Sequence, residues 1–114
     1  KVQGRGDDAG KKLLNEAIML QEAGAYAIVL ELVPAKLSEE ITKALDIPTI
    51  GIGAGPKCDG QIQIFHDMLG MFPDFSPKHA RKYADISKEI KIAVQNYIND
   101  VQNGTFPSDK ESVQ

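Results

Sequence analysis

The sequence predicts an α/β fold of consecutive βα units, the C-terminal portion of a (βα)8, or TIM, barrel. Three observations carry that reading. Two short apolar runs, residues 26–30 and 47–52, show no alternation of apolar and polar positions, as in strands of a parallel sheet covered on both faces. Each run is flanked by segments with helical spacing. Finally, 114 residues hold only two such strands, whereas a closed barrel takes about 250 residues. Residues 1–114 therefore read as a single partial domain with a helical tail.

Asp7 and Asp8 can cap a first helix, because their carboxylates accept the orphan N–H groups of an opening turn. Leu13, Leu14, Ala17, Ile18 and Gln21 follow at helical spacing, and Gly24 stands where a left-handed residue commonly ends a helix. The run 26–30 is the first strand, with Glu31 at its end and Pro34 stopping further pairing. A second helix is predicted over 38–45, with Leu37, Ile41, Ala44 and Leu45 on one side. The second strand covers 47–52, its proline near the first position, where a missing N–H is tolerated. After the glycine loop 53–56, residues 61–69 read as a short helix and 71–77 as irregular chain punctuated by Pro73 and Pro77. From His79 onward the pattern is helical, with Ile86, Ile90, Ala93, Val94, Tyr97, Ile98 and Val101 in one stripe. Gly104 and Pro107 end it, and the remaining residues read as a frayed, disordered tail.

Composition sets the outer limits. A chain 42% apolar and 25% charged is an ordinary globular one, not a disordered or collagenous one. The net charge of −3, with Lys and Arg interspersed among acids, leaves no basic stripe for nucleic acid. Cys58 is the only cysteine, which excludes an internal disulfide or a thiolate metal cluster and suits a reducing compartment. No apolar run reaches the length of a membrane span, and no charged-then-apolar leader precedes the first helix. A cytoplasmic protein with neither membrane nor nucleic-acid partners is the expectation. The chain opens on Lys1, inside a glycine-bearing turn, as a fragment or trimmed product would.

Glu31 is the most informative residue. A carboxylate at the C-terminal end of a buried barrel strand faces the barrel mouth, where such enzymes keep their active sites. Partial burial there would suit it to proton transfer. An acid that merely pairs with a nearby Lys or Arg, or lies solvated on a loop, would look the same in sequence. The run Gly51-Ile52-Gly53-Ala54-Gly55 could let backbone N–H groups approach an anion, or could simply make a tight turn that needs small residues. Pro56 and the lack of three-glycine spacing exclude a dinucleotide fingerprint. Gln3 and Arg5, beside Gly4 and Gly6, could bind an anion or form a solvated turn. His66 and Asp67 are adjacent and so point apart, while His79 lies in a basic patch with Lys78, Arg81 and Lys82. Neither histidine has the partners of a zinc site, and Cys58 lacks the His and Asp of an activated nucleophile.

Three stretches, taken in order, resemble the ketopantoate hydroxymethyltransferases. They are Lys1-Val2-Gln3-Gly4-Arg5-Gly6, Val29-Leu30-Glu31-Leu32-Val33-Pro34, and a third running from Ile47-Pro48 through the glycine loop to Cys58-Asp59-Gly60-Gln61 and Phe65-His66-Asp67-Met68-Leu69-Gly70. The resemblance extends from Lys1 to about Tyr83, with a weaker helical tail. It implies a (βα)8 barrel assembled into a homo-oligomer. It also implies hydroxymethyl transfer from methylenetetrahydrofolate to 3-methyl-2-oxobutanoate, giving 2-dehydropantoate in pantothenate biosynthesis. In the family a Mg²⁺ ion holds the keto acid through its carboxylate and keto oxygens. On this resemblance Glu31 matches the residue that accepts the C3 proton, and Ile52 would line the pocket for the substrate's branched side chain. The acids that hold Mg²⁺ belong to the family's N-terminal half, so no metal ligand is assigned here.

Two other readings compete. A non-catalytic barrel remnant or interaction module would keep these surfaces without a metal site, and another enolate-forming barrel enzyme would act on a related keto acid. Under any of them, two strands alone leave sheet edges and apolar helix faces bare, so the isolated chain is expected to associate and to be inactive.

Overall fold

In the computed structural model, which describes residues 1–114, the chain divides into two units, Lys1–Gln63 and Ile64–Gln114. The first contains α1 (Asp7–Glu22), β1 (Ile28–Glu31), α2 (Ala35–Ala44), β2 (Thr49–Ile52) and β3 (Gly60–Gln61). The strands form one parallel sheet in the order β1-β2-β3, so the mixed α/β class with a parallel sheet is as predicted.

Asp7 and Asp8 lie inside the first turn of α1 and do not cap it; the N-cap is Gly6, with no side-chain cap bond. There the two carboxylates face the positive end of the helix dipole. At the other end Gly24 has φ 104 and its N–H bonds to the Gln21 carbonyl at 3.0 Å, the left-handed closure anticipated for it. Helix α2 begins at Ala35, earlier than Ser38, because Pro34 at the N-cap brings a suitable φ of −52 and has no N–H to satisfy. Ser38 thus becomes an interior residue, fully buried, with its hydroxyl 3.4 Å from the Val33 carbonyl. Ala44, expected on the apolar side, is exposed.

Both helices pack on one face of the sheet. Ala17, Leu30, Val33, Ile41, Leu45 and Ala54 form the core, and Ile41 is 0% exposed. Ile28 packs against this core, and Thr49 reaches α2 through a 2.8 Å hydrogen bond between its hydroxyl and that of Thr42. Strand alternation then puts Val29, Glu31, Ile50 and Ile52 on the opposite face. Val29 is 54% exposed there, and Tyr26, expected within the strand, precedes it and is 89% exposed. Burial on both faces is therefore not found for β1. Its unbroken apolar run fits a two-sided sheet, while these residues supply helices for one side. In β2 the expectation holds better: Thr49, Gly51 and Ile52 are buried.

A helix was predicted from Gln61, but Gly60 and Gln61 instead form β3, and only Phe65–Met68 (α3) is helical. A two-residue strand has no periodicity to read. The return from β2 is fixed by Asp59: its carboxylate accepts from the Thr49 N–H at 2.9 Å and from the Thr49 hydroxyl at 3.3 Å. The Asp59 N–H in turn donates to Thr49 Oγ1 at 3.2 Å. The buried Thr49 hydroxyl is thereby fully used, which avoids the cost of an unpaired polar group.

In the second unit, α4 spans Ile86–Asn103 and a 3-10 turn spans Asp109–Glu111. Helix α4 starts at Ile86, well after His79, where the chain docks on the carbonyls of residues 68–70. The N–H groups of Tyr83, Ile86 and Ser87 donate to the carbonyls of Met68, Leu69 and Gly70 at 2.7, 2.9 and 3.3 Å. The predicted apolar stripe lies on α4, yet no residue of this helix is buried. Gly104, at φ 73, ends it as anticipated. The tail is an ordered turn, contrary to the frayed one expected: Ser108 and Glu111 form a capping box, with the Ser108 N–H donating to Glu111 Oε2 at 2.7 Å. The hydrogen bond from the Ser108 hydroxyl, then that from its backbone N–H, hold the Glu111 carboxyl below the usual glutamate range. No helix is long and apolar enough to cross a membrane.

Candidate active site at the C-terminal end of the sheet

Residues Glu31 and Ile52 are register partners on adjacent parallel strands. Each is the last residue of its strand, so they stand together at the C-terminal end of the sheet, on the face away from α1 and α2. The chain leaves β1 abruptly. Leu32 takes a left-handed φ of 53 while its N–H still donates to the Ile52 carbonyl at 2.9 Å, and its own carbonyl accepts from the Gln3 N–H at 2.9 Å. Such a conformation costs a non-glycine residue roughly 1–2 kcal/mol, and it persists here between two backbone bonds. Its effect is local: it stops β1 at the carboxylate and sends the backbone toward α2.

The Glu31 side chain is exposed and takes part in no ion pair; the Lys12–Glu16 and Lys43–Glu39 pairs lie elsewhere, on helices α1 and α2. Within residues 1–114 the pairing with a Lys or Arg is absent, and the exposed side chain is as a solvated acid would be. The partial burial foreseen for this acid is absent as well. Ile52 is 8% exposed but stands outside the helix-side core cluster. Val29 and Ile50 continue the same face one step back along each strand, an apolar floor that the sequence reading did not single out. The signal was available in the alternation rule, once Leu30 is assigned to the helix side.

The glycines beside this end have packing reasons. A Cβ on Gly55, which has φ 84, would lie 2.4 Å from the Cβ of Ala35, the first residue of α2. A Cβ on Gly51 would lie 2.9 Å from Cys58 Sγ. Close approach of α2 and of Cys58 therefore accounts for small residues here, and the tight-turn reading of the loop suffices. Cys58 is half-buried against the core. His66 is exposed, its ring 6.1 Å from Phe65 and 5.6 Å from Phe72, and His79 is exposed as well. No group of three or more His, Cys, Asp or Glu side chains is arranged to hold a metal ion.

Comparison with known proteins adds the deciding observation. A family model described as ketopantoate hydroxymethyltransferase matches residues 1–109. The chain belongs to the ketopantoate hydroxymethyltransferase family. Among its relatives, the 3-methyl-2-oxobutanoate hydroxymethyltransferase of Acetivibrio thermocellus is 54% identical over 112 residues, which is 98% of this chain and 40% of that protein. That of Clostridium novyi is 58% identical over 108 residues, 95% of this chain and 39% of that protein. The Syntrophus aciditrophicus relative is 52% identical over 112 residues, covering 98% and 41%. The chain thus spans about two-fifths of the length of the curated relatives it matches. Glu31, singled out by its place at a strand end, and Ile52, offered by the resemblance, lie side by side.

Proposed function

We propose that the complete protein carrying these residues transfers a hydroxymethyl group from methylenetetrahydrofolate to 3-methyl-2-oxobutanoate, giving 2-dehydropantoate. Family membership supports this reading, and so does the adjacency of Glu31 and Ile52 at the C-terminal ends of neighbouring parallel strands. In it, the Glu31 carboxylate takes the C3 proton of the keto acid, and the electron pair of the broken C–H bond passes into the C2–C3 enolate. C3 then bonds to the one-carbon unit, both of whose bonds to folate nitrogens break; water supplies the hydroxyl group, and the C3 proton and one water proton end on the two nitrogens of the departing tetrahydrofolate. Ile52, with Val29 and Ile50 on the same face, offers apolar surface to the branched end of the substrate.

The further parts of the reading extend beyond this stretch. The parallel sheet belongs to a (βα)8 barrel, and the face of β1 and β2 turned away from α1 and α2 is its interior. The protein assembles as a homo-oligomer in the cytoplasm, and residues 1–114 alone are inactive. The residues present do not fit a Mg²⁺ site, since they offer no ligand cluster; its ligands would come from the part of the family's length that this stretch does not cover. The test is turnover by the complete protein: 2-dehydropantoate should form only when keto acid and methylenetetrahydrofolate are both supplied. Failure to form it, or formation without the folate, contradicts the reading.

A further inference from the structure

Beside the strand ends lies a cleft of about 750 Å³, within the first unit. It begins one residue beyond Glu31, at Leu32, and is bounded by the loops before α1, before α2 and after β2. Its size is that of a small-molecule site, typically about 300–1,000 Å³. Two kinds of surface meet in it. One is apolar, with Val2, Leu14, Leu32, Val33 and Leu37. The other is cationic, with Arg5, Lys11 and Lys36. Asp7 and Glu40 also reach the cleft, leaving positive charge in excess. Within residues 1–114 none of the three cations is committed to an ion pair, whereas Lys12 on α1 and Lys43 on α2 pair with Glu16 and Glu39. An apolar wall beside uncommitted cations suits a ligand that joins an aromatic ring to carboxylates.

We infer that this cleft holds the p-aminobenzoyl-glutamate arm of the folate, the ring against the apolar wall and the glutamyl carboxylates on Arg5, Lys11 and Lys36. The inference rests on the proposed folate-dependent reaction and gives the folate a point of attachment apart from Glu31, which acts on the keto acid. The guanidinium of Arg5 suits bidentate pairing with a carboxylate, while the lysines act as point charges that need no fixed geometry. Additional glutamyl residues add carboxylates within reach of these charges, so a triglutamate donor should bind more tightly than a monoglutamate, and the advantage should shrink with salt. The anion-binding alternative for Arg5, left open in the sequence, is taken up here by a cleft that Lys11 and Lys36 share.

Two measurements on the complete protein test this. Calorimetry with p-aminobenzoyl-triglutamate, which lacks the pterin and the one-carbon unit, should detect binding that weakens at least tenfold in the Arg5→Gln, Lys36→Gln double variant. The ratio of kcat/KM for triglutamate over monoglutamate donor should likewise fall toward one. Arg5→Lys and Lys11→Gln serve as milder variants should the double variant not fold, and each should lower the ratio in part. Binding and a kcat/KM ratio both unaltered by these changes would overturn the inference while leaving the proposed reaction intact. Binding that is sensitive to the variants in a protein without turnover would instead refute the reaction and leave the cleft as a polycarboxylate site.

Discussion

The two units of the chain use similar raw material to different ends. Residues Lys1–Gln63 bury Ile41 and Thr49 completely and close a core between two helices and a parallel sheet. Residues Ile64–Gln114 carry the longest helix of the chain, with a well-formed apolar stripe, and bury none of that helix. Amphipathic spacing fixes which side of a helix is apolar, and it says nothing of what lies against that side. In the first unit the partner is close in sequence, since α1, β1, α2 and β2 follow one another and pack as neighbours. In the second, Ile90, Val94, Tyr97 and Val101 are all roughly half exposed.

The contrast can be broken first at Ile41. Replacing it with alanine in the complete protein removes a fully buried side chain, and a loss of about 3 kcal/mol in a denaturant melt is the expected result. A loss below about 1 kcal/mol would mean that this core is loosely packed. The matching change on α4, Val94→Ser in the 114-residue chain, should alter stability by less than about 0.5 kcal/mol, as surface substitutions do. A loss near 2 kcal/mol would show that the stripe is covered in solution and would erase the distinction between the units.

The smallest effect concerns the C-terminal turn. The Glu111 carboxyl sits below the usual glutamate range because of its bonds from Ser108. A lowered folded-state value means that the carboxylate supports the turn above the ordinary glutamate range and loses that role as pH falls through the lowered value. Amide chemical shifts of residues 108–111 should therefore stay constant at neutral pH and move only under acid conditions. Movement near neutral pH would show that another group controls the turn.

What was legible in the sequence follows the same division. Glu31 could be found because it ends an apolar run, whereas Ile52 came from the resemblance, since a pocket wall and a core isoleucine look alike in sequence. Gly24 and Gly104 marked helix ends, since a left-handed closure favours glycine. The start of α2 was missed because Pro34 caps a helix as readily as it ends a strand, and β3 was missed because two residues show no period. The late start of α4 depends on carbonyls of residues 68–70, a pairing that no local pattern carries. The exposed face of β1 was misread for a plainer reason: apolar residues in a run show what the strand suits, and cover depends on chain beyond the run. The cleft by Arg5 escaped because Arg5, Lys11 and Lys36 come together only when the loops before α1 and α2 meet.

The claim at the centre of this account is that Glu31 is the base that takes the C3 proton. Deuterium exchange at C3 of 3-methyl-2-oxobutanoate, followed by NMR with the complete protein and its Glu31→Gln variant, tests it most directly. General base catalysis contributes about 10²–10⁴-fold, so exchange by the variant should fall by at least a hundredfold, its melting temperature staying close to that of the parent. Exchange at near-parent rates in a folded Glu31→Gln variant would contradict the account and move the base to another residue.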